Sequence, residues 1–238
     1  MKAVLFHGPR DLRYEEYNLG TLEAGEVLVR IELALTGGTD IKTYLRGHPK
    51  LIKSTPSTFG YEYCGVITQL GTAVESFAIG DRVVSANTAP CYDCYFCAKQ
   101  EYSLCRDLQF LNGSFAEYIK IPERIVKHNL LKTPQTLDPK QAASVQTLAV
   151  ALHGLDRSQI QQGDIVAVLG LGAIGQSFIK LAKYRGIKVV ALGRSTSKLE
   201  LARKNGADHV IDISQCFAAD ELDADKLAKL WQAKFYQE

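Results

Sequence analysis

The spacing Cys91-x2-Cys94-x2-Cys97-x7-Cys105 constrains this chain more than any other feature. Four thiols this close in sequence can converge on one tetrahedral ion, and the segment carrying them, about 88–106, must then fold as a lobe around it. Zinc suits four thiolates, and with every position taken by sulfur none is left for water or substrate, so one structural zinc per chain is expected. An iron–sulfur cluster of the bacterial ferredoxin kind would need three residues before a fourth Cys and a Pro after it; here seven residues intervene and Arg106 follows. Metal or thiol chemistry, rather than disulfides, also suits a chain expected in the reducing cytoplasm. Cys64 and Cys216 stand apart from the lobe and read as small packing residues, as does His153 on an apolar helix.

The rest of the composition narrows the partners. Basic and acidic side chains nearly cancel, leaving a net charge of +2, so there is no basic excess of the sort that binds nucleic acid. The first apolar stretch stops at His7-Gly8-Pro9-Arg10, too short for a signal peptide, and no run reaches transmembrane length. Neither a membrane nor a nucleic-acid partner is expected.

Two regions differ in character. Val27, Val29, Ile31, Leu33 and Leu35 alternate with period two, and short apolar runs at 4–6, 66–70, 83–84 and 115–121 lie between Gly, Pro or Asp, which reads as compact β-structure. A first domain over 1–137 is therefore expected. From Asp138-Pro139, which supply a cap and a first-turn proline, a helix is expected to about Ser158. A second domain over 138–238 follows with strand, glycine turn, helix, strand, helix, strand. Residues 165–169 form a continuous apolar run expected to be covered on both faces, 188–192 a second strand, 196–205 a helix and 209–211 a third strand. The final segment from Asp220 places Ala224, Leu227, Ala228, Trp231 and Phe235 on one helical face. Since a whole dinucleotide fold has about six strands, half of one is expected here. The overall class is α/β, a β-barrel domain followed by a partial parallel βαβ domain.

Gly170-Leu171-Gly172-Ala173-Ile174-Gly175 lies between the first of these strands and its helix. In that place glycines permit the tight turn and the helix N-terminus faces a pyrophosphate. The second strand ends in Gly193-Arg194-Ser195, with no acidic side chain for a ribose 2′-hydroxyl. A guanidinium and a hydroxyl suit a 2′-phosphate, so NADP(H) is the expected cofactor.

Gly65-Val66-Ile67-Thr68-Gln69-Leu70-Gly71, Gly80-Asp81-Arg82-Val83, the cysteine lobe and Gly113-Ser114-Phe115-Ala116-Glu117-Tyr118 together resemble the medium-chain, zinc-containing alcohol dehydrogenases. The resemblance implies a GroES-like barrel followed by a Rossmann domain. It also implies a second, catalytic zinc, and the positions that would hold it have changed. Gly37 stands where the family has a Cys ligand, in Gly37-Gly38-Thr39-Asp40, and Tyr61 stands where Gly-His-Glu has its His. Gln146 lies where another Cys or Glu is common. Glu62 alone could still bind metal. Thr39 matches the family's proton-relaying hydroxyl, with Lys42 where a relay His is common, and Thr39 and Asp40 read equally well as a turn held by side-chain bonds. Thr39, Asp40 and Glu62 are the candidate catalytic residues.

By resemblance the reaction is NADP-linked hydride transfer between a small alcohol and an aldehyde or ketone. The lost ligands leave two rivals open: a metal-independent, quinone-reductase-like NADPH oxidoreductase, and a non-catalytic relic or binding subunit carrying structural zinc only. A homo-oligomer, or a partner chain completing the Rossmann sheet, is a further expectation of the missing strands.

Overall fold

A computed structural model describes residues 1–214. The expected helical face from Ala224 to Phe235, and Cys216, lie outside the described residues. The chain divides into two compact units, Met1–Gln146 and Thr147–Glu238.

The first unit is built on two larger sheets and one two-stranded ladder. β1 (Lys2–Gly8) pairs with β2 (Asp11–Glu16) and with β4 (Ser57–Thr58). The larger, antiparallel sheet has the order β10-β6-β5-β3-β9, from Leu130–Lys132, Arg82–Ser85, Glu62–Leu70, Val27–Leu35 and Tyr118–Ile121. The alternation in β3 does what its period requires: Val27 and Val29 are fully buried, with Val29 facing Ile67 on one side and Ile119 on the other. Each such valine contributes roughly 1.5–3 kcal/mol by leaving water.

The strand expected over 115–121 begins only at Tyr118. Before it the chain crosses between the sheets: the Phe115 N–H donates to Phe59 O at 2.9 Å, and its carbonyl accepts from Val4 N–H at 2.7 Å. Strand pairing with β3 starts once that crossing is complete. Gly38–Arg46 forms a helix, α1, where the sequence predicts only a turn. Cys64 packs as expected, fully buried beside Val84, Ala142 and Ala143.

The helix expected over 138–158 is two helices, which with α2 (Tyr95–Ala98) and α3 (Glu123–His128) before them are α4 (Pro139–Ala143) and α5 (Val145–Arg157). Asp138 caps α4 as expected, accepting from Lys140 N–H at 2.7 Å. The break falls at Ser144, whose hydroxyl donates to Gln141 O at 2.7 Å and so competes with the helical ladder. His153 is exposed on α5, not packed, because it falls on the face opposite Ala151 and Leu155.

In the second unit β11 (Ile165–Leu169), β12 (Lys188–Gly193) and β13 (His209–Asp212) form a parallel sheet in that order, linked by α6 (Ala173–Tyr184) and α7 (Thr196–Lys204). β7 (Thr88–Ala89) and β8 (Gln109–Phe110) form a small ladder in the first unit, at the root of the cysteine lobe. β12 is buried on both faces: Val189 and Ala191 join Ile179 and Leu199, while Val190 and Leu192 join Ile211 and Ile213. β11 departs from the expectation of two covered faces. Val168 packs inward, but Ile165 and Leu169 are 51% and 55% exposed, because β11 is an edge strand among the described residues and the helices cover its other face.

Candidate metal and cofactor sites

The four expected ligands converge. Cys91 sits in a turn that begins beyond β7, Cys94 caps the short helix α2, Cys97 lies within it, and Cys105 follows a single 3-10 turn at Tyr102–Leu104. Their sulfurs lie within 4.8 Å of one another, with Cys91–Cys97 at 3.9 Å, Cys94–Cys97 at 3.6 Å and Cys91–Cys105 at 3.5 Å. A tetrahedron with metal–sulfur bonds of about 2.3 Å has edges of about 3.8 Å, so this cluster has the size zinc needs.

The backbone prepares the sulfurs for negative charge. N–H groups of Asp93 and Cys94 point at Cys91 Sγ, and those of Arg106 and Cys97 hold the Cys94 thiol down to about 6. Cys97 is pushed up to about 12, by burial first and then by neighbouring thiols. Four thiolates cannot share so small a volume without a countercharge, and a divalent cation supplies one. The lobe is also fastened from outside, by residues with no motif to mark them. Arg124 on α3 donates to Asp107 Oδ2 at 2.8 Å, and the Tyr92 and His128 rings lie 4.2 Å apart.

The second cluster brings together positions 37, 39, 40, 61 and 62. Gly60, with φ +85°, turns the chain into β5 beneath the Phe115 ring, where any side chain would collide. Asp40, Tyr61 and Glu62 are all buried. Asp40 Oδ2 accepts the Gly37 N–H at 2.7 Å, so the bond expected of a turn instead anchors the start of α1. Thr39 hydrogen-bonds the Tyr61 hydroxyl. A Cβ at Gly37 would stand 2.8 Å from Glu62 Oε1 and 3.4 Å from the Tyr61 hydroxyl, so the space a Cys ligand would take is already bounded by a carboxylate and a phenol. Lys42 is exposed on α1, and Gln146 is the last residue of the first unit.

Burial raises the Asp40 carboxyl above its usual 3.8, against the pull of the Gly37 N–H. The folded chain therefore holds that proton more tightly than the unfolded chain, and stability is lost as pH rises from the unfolded toward the folded value. Asp40→Asn keeps an acceptor for Gly37 without the charge. Urea midpoints measured from pH 4 to 8 are expected to show the Asn variant gaining on the wild type as pH rises; an Asn variant that loses ground to the wild type with rising pH would contradict this.

In the second unit the glycine turn has the expected steric logic. Gly170 has φ +95°, and a Cβ on Gly175 would overlap the Gly170 carbonyl oxygen. Gly172 caps α6, and nothing lies within 4 Å of where its Cβ would be, which leaves the helix N-terminus open to a ligand. Leu171 is buried in the helix–sheet core, while Ala173 and Ile174 are exposed in the first turn of α6. Arg194 is exposed just past β12, and Ser195, the α7 N-cap, has its hydroxyl 3.1 Å from that of Ser197. The buried Gln176, which no motif flags, bonds to this turn.

Residues 23–134 match the alcohol dehydrogenase GroES-like domain and residues 173–234 the zinc-binding dehydrogenase family. The chain is 30% identical to a sorbitol dehydrogenase of Bacillus subtilis over 93% of its own length and 64% of the relative's. It is 34% identical to an erythritol/L-threitol dehydrogenase of Mycolicibacterium smegmatis over 96% and 66%. It thus spans slightly under two thirds of these curated relatives. Among solved structures, one from Sinorhizobium meliloti 1021, provisionally described as a zinc-binding dehydrogenase and bound to NADP, superposes with TM-score 0.82 at 32% identity, covering 90% of this chain and 62% of that one. A short chain alcohol dehydrogenase of Escherichia coli CFT073 complexed with NADH superposes with TM-score 0.81 at 32% identity, covering 90% and 63%. The two structures hold different cofactors. No helix among the described residues is long and apolar enough to cross a membrane.

Proposed function

Because this chain belongs to the medium-chain, zinc-containing alcohol dehydrogenase family, we propose that it is an NADP-linked oxidoreductase with one structural zinc, exchanging hydride between a small alcohol and its aldehyde or ketone. The carrying observation is the turn at 170–175, which leaves the N-terminus of α6 open at Gly172, with Arg194 and Ser195 at the end of the next strand. Backbone N–H groups at that terminus would hold the pyrophosphate, and the Arg194 guanidinium, with the Ser195 and Ser197 hydroxyls, would take the 2′-phosphate. When bound, the nicotinamide supplies or accepts the hydride. Cys91, Cys94, Cys97 and Cys105 would hold the zinc, whose work is to keep the lobe folded. The names of the relatives favour polyols as the substrate class.

A catalytic zinc does not fit. Gly37 offers no ligand, Tyr61 offers a phenol bonded to Thr39, the Asp40 carboxyl is taken by the Gly37 N–H and favoured in its neutral form by burial, and Glu62 alone cannot fix a metal. The same residues favour a second reading, metal-independent carbonyl reduction. Burial raises the Tyr61 hydroxyl above its usual 10, so it keeps its proton at neutral pH and can donate a hydrogen bond through the Thr39–Tyr61 pair. Exposed Ile165 and Leu169 on β11 support a covering segment or partner chain there.

The test is titration of NADPH and NADH with wild-type chain and Arg194→Ala, alongside an assay with polyols and with chelator. A charge-assisted contact is worth roughly 1.5–3 kcal/mol, so NADPH is expected to weaken about 10- to 150-fold while NADH stays unchanged. Equal losses for both cofactors would sink the NADP assignment. Turnover abolished by removing a second zinc would overturn the reading of positions 37, 61 and 62, and binding without any turnover would favour a non-catalytic binding subunit.

A further inference from the structure

Resting on the reading of 170–175 and Arg194 as one NADPH site, we infer that Gln176 is a positioning residue that sets the two halves of that site at a fixed distance. The halves come from different βα units. The glycine turn joins β11 to α6, while Arg194 and Ser195 join β12 to α7. A ligand that must touch a helix N-terminus with its pyrophosphate and a guanidinium with its 2′-phosphate gains from both only if the two are held in register.

Gln176 is buried in the first turn of α6. Its Nε2 donates to Leu171 O, at the long end at 3.4 Å, and to Lys198 O at 2.9 Å. Its Oε1 accepts from Asn205 Nδ2 at 2.8 Å. One amide thus ties the turn that would face the pyrophosphate to α7, once at Lys198 in the helix that follows Arg194 and again at the C-cap. Burying an amide is costly unless its bonds are made, and here all three run to the turn or to α7. The two halves also touch directly. Gly170 N–H donates to Leu192 O at 3.2 Å, and a Cβ on Gly193 would stand 2.8 Å from Leu171 Cδ1. To these contacts Gln176 adds a side-chain amide that joins α6 to α7, in a cluster otherwise built from apolar side chains such as Ile179, Leu199 and Ala202.

The experiment is a double-mutant cycle on the full chain, titrating NADPH, NADH and 2′,5′-ADP against wild type, Gln176→Leu, Arg194→Ala and the double variant. Gln176→Leu is expected to weaken NADPH and 2′,5′-ADP about tenfold, leave NADH within about twofold, and add nothing further once Arg194 is replaced. Equal losses for NADPH and NADH, or losses that add in the double variant, would show that Gln176 merely supports the fold and would overturn the inference. Should Gln176→Leu not fold, Asn205→Ser, which removes one bond of the amide at the helix end, must shift the NADPH to NADH ratio in the same direction; an unchanged ratio overturns the inference equally. A wild-type chain that binds none of the three probes would remove the NADPH reading itself, and this inference with it.

Discussion

Purified chain is expected to retain one zinc after dialysis, and the double variant Cys97→Ser, Cys105→Ser none. These two cysteines are the buried pair of the four, and Cys105 also accepts the Cys91 N–H at 3.2 Å, so losing both removes half the ligands and one tether of the lobe. Structural zinc binds with apparent free energies on the order of 10 kcal/mol or more, and because the sulfurs are not gathered in an unfolded chain, that binding energy is folding energy for the lobe. The expected result is a thermal midpoint lowered by many degrees and amide exchange over 88–106 that becomes as fast as in a disordered segment. The core around β3 and β5 packs without any of the four cysteines and should keep its protection. Elemental analysis reads the metal directly. Two zincs per wild-type chain would mean that positions 37, 61 and 62 bind metal after all, and zinc retained by the double variant would mean that other ligands hold it.

The second large effect is expected at the glycine turn, where two neighbouring glycines should fail for different reasons. Gly175→Val puts a Cβ into the Gly170 carbonyl oxygen, a backbone atom that can yield only by moving the turn away from α6. Overpacking of this kind costs about 1–3 kcal/mol, and the displaced turn should lower NADPH affinity at least about 100-fold. Gly172→Ala meets nothing within 4 Å, so its melting temperature should stay near wild type. Its methyl would nevertheless occupy the space over the α6 N-terminus where the pyrophosphate must approach, and NADPH affinity should fall about tenfold or more. Calorimetric titration and thermal melts on the two variants separate the cases. A Gly172→Ala chain that binds NADPH as well as wild type would show that the phosphates lie elsewhere.

What could be read from the sequence was local. The four cysteines lie close along the chain, so their spacing alone demands a lobe, and the structure gathers their sulfurs within 4.8 Å. Gly170 and Gly175 belong to one short turn, and their need for a left-handed backbone and a missing Cβ is a matter of sterics within that turn. Strands β3, β11 and β12 were visible through their period or their continuous apolar runs.

The tertiary structure decided everything that depends on residues meeting from far along the chain. That Gly37 closes against Tyr61 and Glu62, with Asp40 buried beside them, follows from β3 pairing with β5. Helix α1 exists although its residues carry no long apolar stripe, because the bond from the Gly37 N–H to the buried Asp40 carboxyl fixes its first turn. Arg124 and His128 support the lobe from α3, and Gln176 reaches Asn205 across 29 residues. No spacing rule marks such pairs: which buried polar group finds its partner is settled by how the elements pack, and an amide or carboxylate looks the same in sequence whether it ends in solvent or in a closed hydrogen-bond network.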